Sequence, residues 1–451
     1  MLILYNTLTR KKEVFKPINK GKINLFVCGI TPYDYPHIGH AKTYIQFDFI
    51  TKYLRFKKFN VFYLQNVTDI DDKIIQRAKE EDQSWKEISK KFQNIFYEDM
   101  EKLHVDSINK YAKATDNIKE IVNQVKRLIE KRCAYKLEDG YYFDLSKFKN
   151  YGKLSRRNYT EAEDALSKID DNLSKKNKGD FCLWKFSKKN EPFWKSELGD
   201  GRPGWHIEDT AITEKYLGSQ YDIHGGAKDL IFPHHEAEIA QMESISNKVP
   251  LVRYWLHTGF LNVKGSKMSK SLKNFIIIRD ALKQYDYKIL RFFFFAVHYR
   301  SQIDFSDDAL KQAENTLNRI SEFLLNSKNK KGDIDNKLVN KTKESFLKAL
   351  DNDFDTPKAL SILFKFIREA NKKTPGQNCY NLLKEIDDTF DIFYFDELKI
   401  SKEIQTLVNK REKYRKEKNY KKSDEIRDII QKKGYVLEDS KEGIKIKNAL
   451  R

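Results

Sequence analysis

The first 72 residues alternate between the patterns of buried strands and helices, and this alternation restricts the fold more than any other feature of the chain. The apolar run at 23–28 reads as a buried strand that ends at Gly29. A helix is expected to begin near His37, a second strand occupies 60–64, and the acidic string at 68–72 opens another helix. Successive strand–helix units of this kind predict a parallel, doubly wound sheet.

This pattern is interrupted and then resumes. Between 98 and 196 the apolar spacing is looser, with a predicted hairpin at 140–143, whereas strand patterns return at 221–224 and 255–263. Beyond Ala309 the chain reads as helical, with a long helix ending at Gly434 and a small terminal hairpin after it. We therefore predict an α/β protein with a split Rossmann-like catalytic domain (1–97 and 197–265), an insertion (98–196), a connecting region (266–308), an α-helical bundle (309–398) and a small C-terminal domain (399–451).

Charge and cysteine usage indicate the setting in which the chain works. Its 451 residues carry 85 basic and 66 acidic side chains, a net charge of +19, and the last 51 residues alone contribute 16 − 9 = +7. Such an excess suits a polyanionic partner, although a solvated, lysine-rich surface is the alternative. The start does not read as a signal peptide, no apolar run reaches membrane length, and the four cysteines are scattered, so we expect a cytoplasmic protein without membrane association.

Two short strings carry the chemistry. The first, at 36–40, places His37 and His40 one turn apart around Gly39 at the start of the first helix. The second, at 267–271, brings two lysines and two serines together without an apolar pattern. Together they can hold a triphosphate from two sides and assist displacement at phosphorus. Taken singly, the histidines could serve only as helix caps and the second string could be a solvated turn.

The two strings resemble the signature motifs of class I aminoacyl-tRNA synthetases, and further strings resemble the cysteinyl-tRNA synthetase family. The resemblance runs from about Leu4 to the C-terminus and rests on FVCGITPYDYPHIGH, NVTDIDDKII, GRPGWHIED, YDIHGGAKDLIFPHHEAEIAQ and WLHTGFLNVKGSKMSKSLKN. It implies activation of L-cysteine by ATP and Mg²⁺, followed by transfer of the cysteinyl group to tRNA(Cys). It also implies a stem-contact role for 266–308, an anticodon-binding role for 399–451, and a monomer.

The resemblance further implies a zinc ion that binds the thiol of the substrate. Its ligands map onto Cys28, His234, Glu238 and position 209, where this chain has aspartate in place of the usual cysteine. His234 and Glu238 at i and i+4 share a helix face, which is workable ligand spacing. Either Asp209 ligates zinc through oxygen, or the site lacks metal and reads the thiol by shape and hydrogen bonds. Without the resemblance, Cys28 would read as a buried strand cysteine.

The remaining site residues are also carried over from the resemblance. Trp205 is expected to close over the cysteine side chain, and the alternative is an ordinary core tryptophan. Thr68 is expected to contact the substrate, and the alternative is that it is the N-cap of the next helix. The string at 224–226 reads as a tight turn, placed by the resemblance beside the adenylate. The predicted catalytic residues are His37, His40, Lys267 and Lys270. The predicted ATP-binding residues are Gly39, His224, Gly225, Gly226, Asp229, Met268, Ser269 and Ser271.

The C-terminal region supplies the predicted contact with tRNA. Phosphate contacts combined with stacking on unpaired bases would grip an anticodon loop. The alternative is a solvated charged helix. The basic residues chosen here, which lie close to Tyr414 and Tyr420, are Arg411, Arg415, Lys416 and Lys418. Two rival functions remain: a small-molecule ligase that joins cysteine to an amino sugar, which should lack this basic end, and a non-catalytic tRNA-binding relative, which should have lost His37, His40 or Lys270.

Overall fold

The computed structural model describes residues 1–157, 174–268, 274–395, 402–433, 435–440 and 443–448. Lys270, Ser269 and Ser271 of the second motif lie outside these residues, as does Gly434, the predicted helix end. The chain divides into two compact units. The first comprises 1–278, 297–304 and 348–357, and the second comprises 279–296, 305–347 and 358–451. No helix among the described residues combines the length and apolar character needed to span a membrane.

The described residues form sixteen strands and fourteen α-helices. The strands are β1 (Ile3–Asn6), β2 (Lys11–Val14), β3 (Lys22–Ile30), β4 (Asn60–Val67), β5 (Lys110–Lys113), β6 (Ala134–Leu137), β7 (Gly140–Phe143), β8 (Cys182–Phe186), β9 (Gly201–Pro203), β10 (Tyr221–Ala227), β11 (Val252–Thr258), β12 (Leu261–Val263), β13 (Ser266–Lys267), β14 (Ile303–Phe305), β15 (Tyr435–Ser440) and β16 (Gly443–Asn448). The helices are α1 (Ile38–Phe56), α2 (Asp72–Glu80), α3 (Trp85–Lys102), α4 (Ile118–Glu130), α5 (Ile207–Leu217), α6 (His234–Ser246), α7 (Ile278–Gln284), α8 (Tyr287–Phe295), α9 (Asp307–Ser327), α10 (Asn336–Leu350), α11 (Thr356–Ala370), α12 (Gln377–Phe390), α13 (Lys402–Lys416) and α14 (Tyr420–Lys432).

The first unit is built on a five-stranded parallel sheet in the order β11-β10-β3-β4-β5. This confirms the predicted α/β architecture. The central strand β3 is buried along most of its length, and its neighbour β4 is buried except at its first residues. Helix α1 buries most of its nineteen residues. Parallel sheets are covered by helices on both faces, which explains why these strands read as continuous apolar runs instead of alternating patterns.

The prediction that the first buried strand ends at Gly29 is wrong. Strand β3 continues to Ile30, and its register against β4 shifts between Val27 and Ile30. A Cβ atom on Gly29 would lie 1.8 Å from the carbonyl oxygen of Asn66. The glycine therefore allows the two strands to approach closely at the irregularity, instead of terminating pairing.

The segment between the two halves of the parallel sheet carries its own antiparallel sheet, in the order β6-β7-β8-β9. The predicted hairpin at 140–143 is the β6–β7 pair, in which Gly140 begins the second strand. Its four strands pair in the order of the sequence, so this sheet is a local module inserted between β5 and β10.

The helices predicted beyond Ala309 and the predicted terminal hairpin are present as α9 to α14, β15 and β16. Helices α13 and α14 and strand β15 share a small apolar cluster of Ile404, Val408, Ile426, Ile430 and Leu437. The basic end of the chain is therefore a packed module with its own core, and its charged residues lie mostly on the exposed faces of α13 and α14.

Candidate active site and metal centre

A cavity of about 490 Å³ lies within the first unit, at the carboxyl ends of the parallel strands. This is where open parallel sheets bind their ligands. Ten of the residues singled out from the sequence line it: Cys28, His37, Gly39, His40, Thr68, Trp205, Asp209, Asp229, His234 and Met268. Residues separated by more than two hundred positions in the chain thus meet in one cleft.

His37 and His40 cap the helix whose start they mark. His37 is the N-cap of α1, and its Nδ1 accepts from the backbone N–H of Gly39 at 3.1 Å. Nδ1 of His40 accepts from the backbone N–H of His37 at 3.2 Å, and the two rings stack with centroids 3.7 Å apart. Because both Nδ1 atoms accept, each neutral ring carries its proton on Nε2. Burial, followed by the neighbouring His37, lowers the pKa of His40. Capping through Nδ1 is therefore compatible with donation from Nε2–H to a ligand.

The segments on either side of the second motif return to the start of α1. Strand β13, which contains Lys267, pairs with β12, and Met268 lines the cavity. The backbone N–H of Ile38 donates to the carbonyl oxygen of Ile276 at 2.9 Å. The backbone N–H of Ile278 donates to the carbonyl oxygen of Pro36, also at 2.9 Å. Met268 and the segment at 276–278 therefore lie beside the start of α1, which carries the first motif.

The four predicted metal ligands converge at the inner end of the cleft. One ligand atom from each of Cys28, Asp209, His234 and Glu238 lies within 4.8 Å of the others. His234 Nε2 is 3.0 Å from Asp209 Oδ2 and 3.1 Å from Glu238 Oε1, while Cys28 Sγ is 3.5 Å from Asp209 Oδ2. All four residues are buried. Asp209 therefore occupies the place in the cluster that its sequence position implied.

The chemistry of these side chains fits a cation. Burial, then Glu238 and Asp209, raises the pKa of the Cys28 thiol, and burial together with Asp209 raises the pKa of Glu238. Glu238 Oε2 is buried and has no hydrogen-bond partner among the described residues. A thiol and two carboxylates crowded together out of water repel one another when ionised, and a zinc ion removes that repulsion.

Residues behind the cluster orient two of its members. Nδ2 of Asn66 donates to Asp209 Oδ1, while Oδ1 of the same amide accepts from the backbone N–H of Gly29. Oδ2 of Asp209 is thus left to face His234 and Cys28. His206 Nδ1 lies 2.8 Å from His234 Nδ1, so that Nε2 of His234 faces the carboxylates. Sequence reasoning missed the roles of Asn66 and His206, although both lie in strings that carry the family resemblance, NVTDIDDKII and GRPGWHIED.

A second, overlapping set of donors consists of Cys28, His224, His235 and Glu238. Cys28 Sγ lies 3.3 Å from His224 Nε2 and 3.1 Å from His235 Nε2. Burial lowers the pKa of both imidazoles, so they are neutral donors or acceptors at the sulfur. Of this set only Cys28 lines the cleft, and neither histidine is among the lining residues.

The string at 224–226 is not the turn that was predicted. His224, Gly225 and Gly226 lie inside β10 and pair with β11. A Cβ atom on Gly225 would lie 2.3 Å from the ring of Phe47 on α1, and one on Gly226 would lie 2.9 Å from the ring of His235. Close packing of helices on this strand, and not a change of chain direction, explains the two glycines.

The predicted contacts of the amino acid lie at the cleft. Trp205 is 43% exposed, which rules out a core tryptophan, and its indole stacks on His234 with centroids 4.5 Å apart. The Thr68 hydroxyl donates to the buried carboxylate of Glu208. Thr68 is not the N-cap of α2, because Asp71 takes that position and accepts from the N–H of Lys73 at 2.8 Å. Thr68 therefore lines the cleft instead of starting a helix.

Of the predicted tRNA contacts, Arg415, Lys416 and Lys418 are exposed, whereas Arg411 is only 2% exposed. Arg411 belongs to the interior of the C-terminal module, because its face of α13 packs inward along with Ile404 and Val408. A direct phosphate contact by Arg411 is contradicted, since its guanidinium is withdrawn from solvent.

Comparison with known proteins agrees with this arrangement. Residues 14–315 match the family described as tRNA synthetases class I (C) catalytic domain, and residues 345–392 match the DALR domain. Among solved structures, the chain resembles Mycobacterium tuberculosis methionyl-tRNA synthetase in complex with methionyl-adenylate, with a TM-score of 0.61, 18% identity and coverage of 78% of this chain and 83% of that one. Fold and site together define a class I aminoacyl-tRNA synthetase.

Curated relatives narrow the class further. Cysteine–tRNA ligase of Methanococcus maripaludis strain C7 is 45% identical over 472 residues, covering 98% of each chain. The enzyme of the same name from Thermoplasma volcanium is 47% identical over 450 residues, covering 97% of this chain and 98% of that one. That of Thermodesulfovibrio yellowstonii is 43% identical over 475 residues, covering 97% of each. This chain belongs to the cysteine–tRNA ligase family.

Proposed function

We propose that this chain activates L-cysteine with ATP and transfers it to the 3′-terminal adenosine of tRNA(Cys). The observation that supports the proposal is that three of the four clustered donors line the same cleft as residues of both motifs: Cys28, Asp209 and His234 with His37, Gly39, His40 and Met268. The amino acid and the nucleotide would be held side by side, so that proximity supplies much of the rate.

In the first step the carboxylate oxygen of cysteine attacks the α-phosphorus of ATP, the bond to the bridging oxygen breaks, and pyrophosphate leaves with Mg²⁺. The N-terminus of α1 and the Nε2–H donors of His37 and His40 would stabilise charge on the phosphates. Lys267 and Lys270 would approach from the other motif. Asp229, which lines the cleft, would accept hydrogen bonds from the ribose hydroxyls.

Selection of cysteine is assigned to Cys28, Asp209, His234 and Glu238. A zinc ion held by them would bind the substrate sulfur as thiolate, a bond that the hydroxyl of serine makes far less readily. We favour this set over the one that includes His224 and His235, because Cys28, Asp209 and His234 line the cleft from which a substrate must arrive. Trp205, stacked on His234, would cover the amino acid, and Thr68 would contact it.

In the second step the terminal 2′-hydroxyl of the tRNA attacks the acyl carbon, and AMP leaves. Arg415, Lys416 and Lys418, exposed on and after α13, are the proposed contacts with the anticodon region. We keep the division into catalytic halves, insertion, connecting region, bundle and C-terminal domain as a proposal, but move the insertion bounds from 98–196, because β5 (Lys110–Lys113) pairs in the parallel sheet and β9 (Gly201–Pro203) pairs in the antiparallel one. We further propose that the protein works in the cytoplasm as a monomer.

Two assays test the function. Cysteine-dependent exchange of labelled pyrophosphate into ATP measures the first step, and acylation of tRNA(Cys) measures the whole reaction. We expect both activities, with serine inactive in exchange. Exchange without acylation would favour the ligase that joins cysteine to an amino sugar, and absence of both would favour a non-catalytic tRNA-binding protein.

A further inference from the structure

Lys42 is a buried lysine in α1, two positions after His40. Its side chain is only 2% exposed, and burial lowers its pKa to about 7. Removing an ammonium group from water costs several kcal/mol unless its donors are satisfied. Here the Nζ atom donates to three carbonyl oxygens, those of Gly259 at 2.5 Å, Phe260 at 3.2 Å and Ser301 at 3.0 Å. A lysine ammonium has three N–H donors, so each of them has a carbonyl acceptor here.

The three acceptors belong to the base of the hairpin that carries Lys267. Gly259 and Phe260 connect β11 to β12, and β12 pairs with β13. Ser301 precedes β14, which lies on the other side of β12. The backbone N–H of Ile303 also donates to the carbonyl oxygen of Phe260 at 3.1 Å. Lys42 therefore bonds to both segments that flank the hairpin.

The surroundings leave this link little freedom. A Cβ atom on Gly259 would lie 2.3 Å from the carbonyl oxygen of Ser301, so the two backbones touch only because glycine stands there. The Thr43 hydroxyl lies 2.9 Å from that of Thr258, at the end of β11. Lys42, Gly259 and Phe260 all line the cleft. The helix of the first motif is thus bonded directly to the support of the second.

We propose that Lys42 is a positioning residue that fixes the hairpin of the second motif relative to His37 and His40. This inference rests on the proposed function, in which ATP binds between the two motifs. Phosphate donors on opposite sides of a ligand stabilise the transition state only when their spacing is set in advance. An apolar side chain at position 42 would leave three buried carbonyls without a donor, and they would separate to reach water.

The test compares Lys42→Met and Lys42→Arg with Lys52→Met. Lys52 lies on the same helix, is mostly buried, and pairs with Asp48 at 3.0 Å and Asp106 at 2.8 Å, far along the helix from the motif. The readouts are kcat and the KM values for ATP and for cysteine in pyrophosphate exchange, together with the melting temperature. We expect Lys42→Met to lower kcat/KM for ATP about tenfold or more, because misplaced phosphate donors lose part of their effect on the transition state. The KM for cysteine in Lys42→Met should stay near the wild-type value. Lys42→Arg should recover most of the lost kcat/KM for ATP. The kinetic constants of Lys52→Met should resemble those of the wild type.

Wild-type kinetics in folded Lys42→Met, or equal changes in the two KM values, would overturn the inference. If Lys42→Met does not fold, Thr43→Val decides, because it removes the adjacent link without removing a charge. That variant must raise the KM for ATP and not the KM for cysteine, and an unchanged KM for ATP would overturn the inference. Absence of exchange in the wild type would instead refute the proposed function itself.

Discussion

Nδ1 of His206 lies 2.8 Å from Nδ1 of His234, and the carbonyl oxygen of His206 accepts from Gln241 Nε2 at 2.9 Å. The second bond ties His206 to α6, the helix that also carries His234 and Glu238. A histidine that binds metal through Nε2 needs a partner at Nδ1 to fix its tautomer and ring orientation. His206 provides that partner, so it shapes the cluster without joining it.

Replacing His206 by alanine should therefore weaken zinc binding. Loss of such an orienting partner typically costs about 10- to 100-fold in metal affinity. The measurement is zinc affinity by competition with a chromophoric chelator, with circular dichroism to verify folding. His298→Ala is the control, since His298 lies beside Asp353 and away from the cluster. Equal zinc affinity in wild type and His206→Ala would contradict the role.

Restoring a thiolate at position 209 should strengthen zinc binding. Cysteine is a softer donor than aspartate, so Asp209→Cys should raise zinc affinity by about tenfold or more. Asp209→Ala should lower it. Both are measured by chelator competition under reducing conditions, because Asp209 Oδ2 is 3.5 Å from Cys28 Sγ and the new thiol would be close enough to oxidise.

Asp222→Asn is the matched control for position 209. Asp222 is another buried carboxylate, on strand β10 instead of helix α5, and it accepts backbone N–H groups, including that of Asn24 at 2.8 Å. If neither the wild type nor Asp209→Cys, Asp209→Ala or Asp222→Asn binds zinc, the thiol must be selected by shape and hydrogen bonds.

Charge reversal in the C-terminal module should affect only the tRNA step. The double variant Arg415→Glu with Lys416→Glu removes two exposed cations, and should lower kcat/KM for tRNA by about tenfold or more and reduce its salt dependence. Pyrophosphate exchange should be unchanged. Lys90→Glu with Lys102→Glu, two exposed positions on α3, is the control for net charge. A similar loss in both double variants would assign the effect to overall charge.

Asp387 makes stability depend on pH. Burial raises the pKa of this carboxyl to about 7, although the backbone N–H groups of Ile392 and Phe393 donate to Oδ1 at 2.7 and 3.1 Å. Between about pH 4 and pH 7 the folded chain holds a proton that the unfolded chain releases, so the free energy of unfolding falls as pH rises through this window.

Asp387→Asn keeps an acceptor oxygen and removes the titration. Wild type should lose stability relative to this variant by at most about 1.4 kcal/mol per pH unit between pH 5 and pH 7, as measured by urea denaturation. Asp308→Asn, at an exposed position of α9, should follow the wild type. Parallel pH profiles of wild type and Asp387→Asn would refute the assignment.

The sequence alone determined the α/β fold class, the two motifs, the family and the ligase class, and the comparisons confirm the family and the class. These features are encoded locally, in apolar periodicity and in short strings whose residues are neighbours in the chain. The start of the first helix near His37 could also be predicted from the sequence, because helix caps depend on contacts between residues three positions apart.

Tertiary structure decided the rest. It placed His224 in a strand and not in a turn, withdrew Arg411 from the surface, and set Asn66 against Asp209 across 143 positions of sequence. It also brought Lys42 to carbonyl groups more than two hundred residues away. Such distances depend on which strands become neighbours and how closely helices pack on them, and no local pattern of residues records that choice.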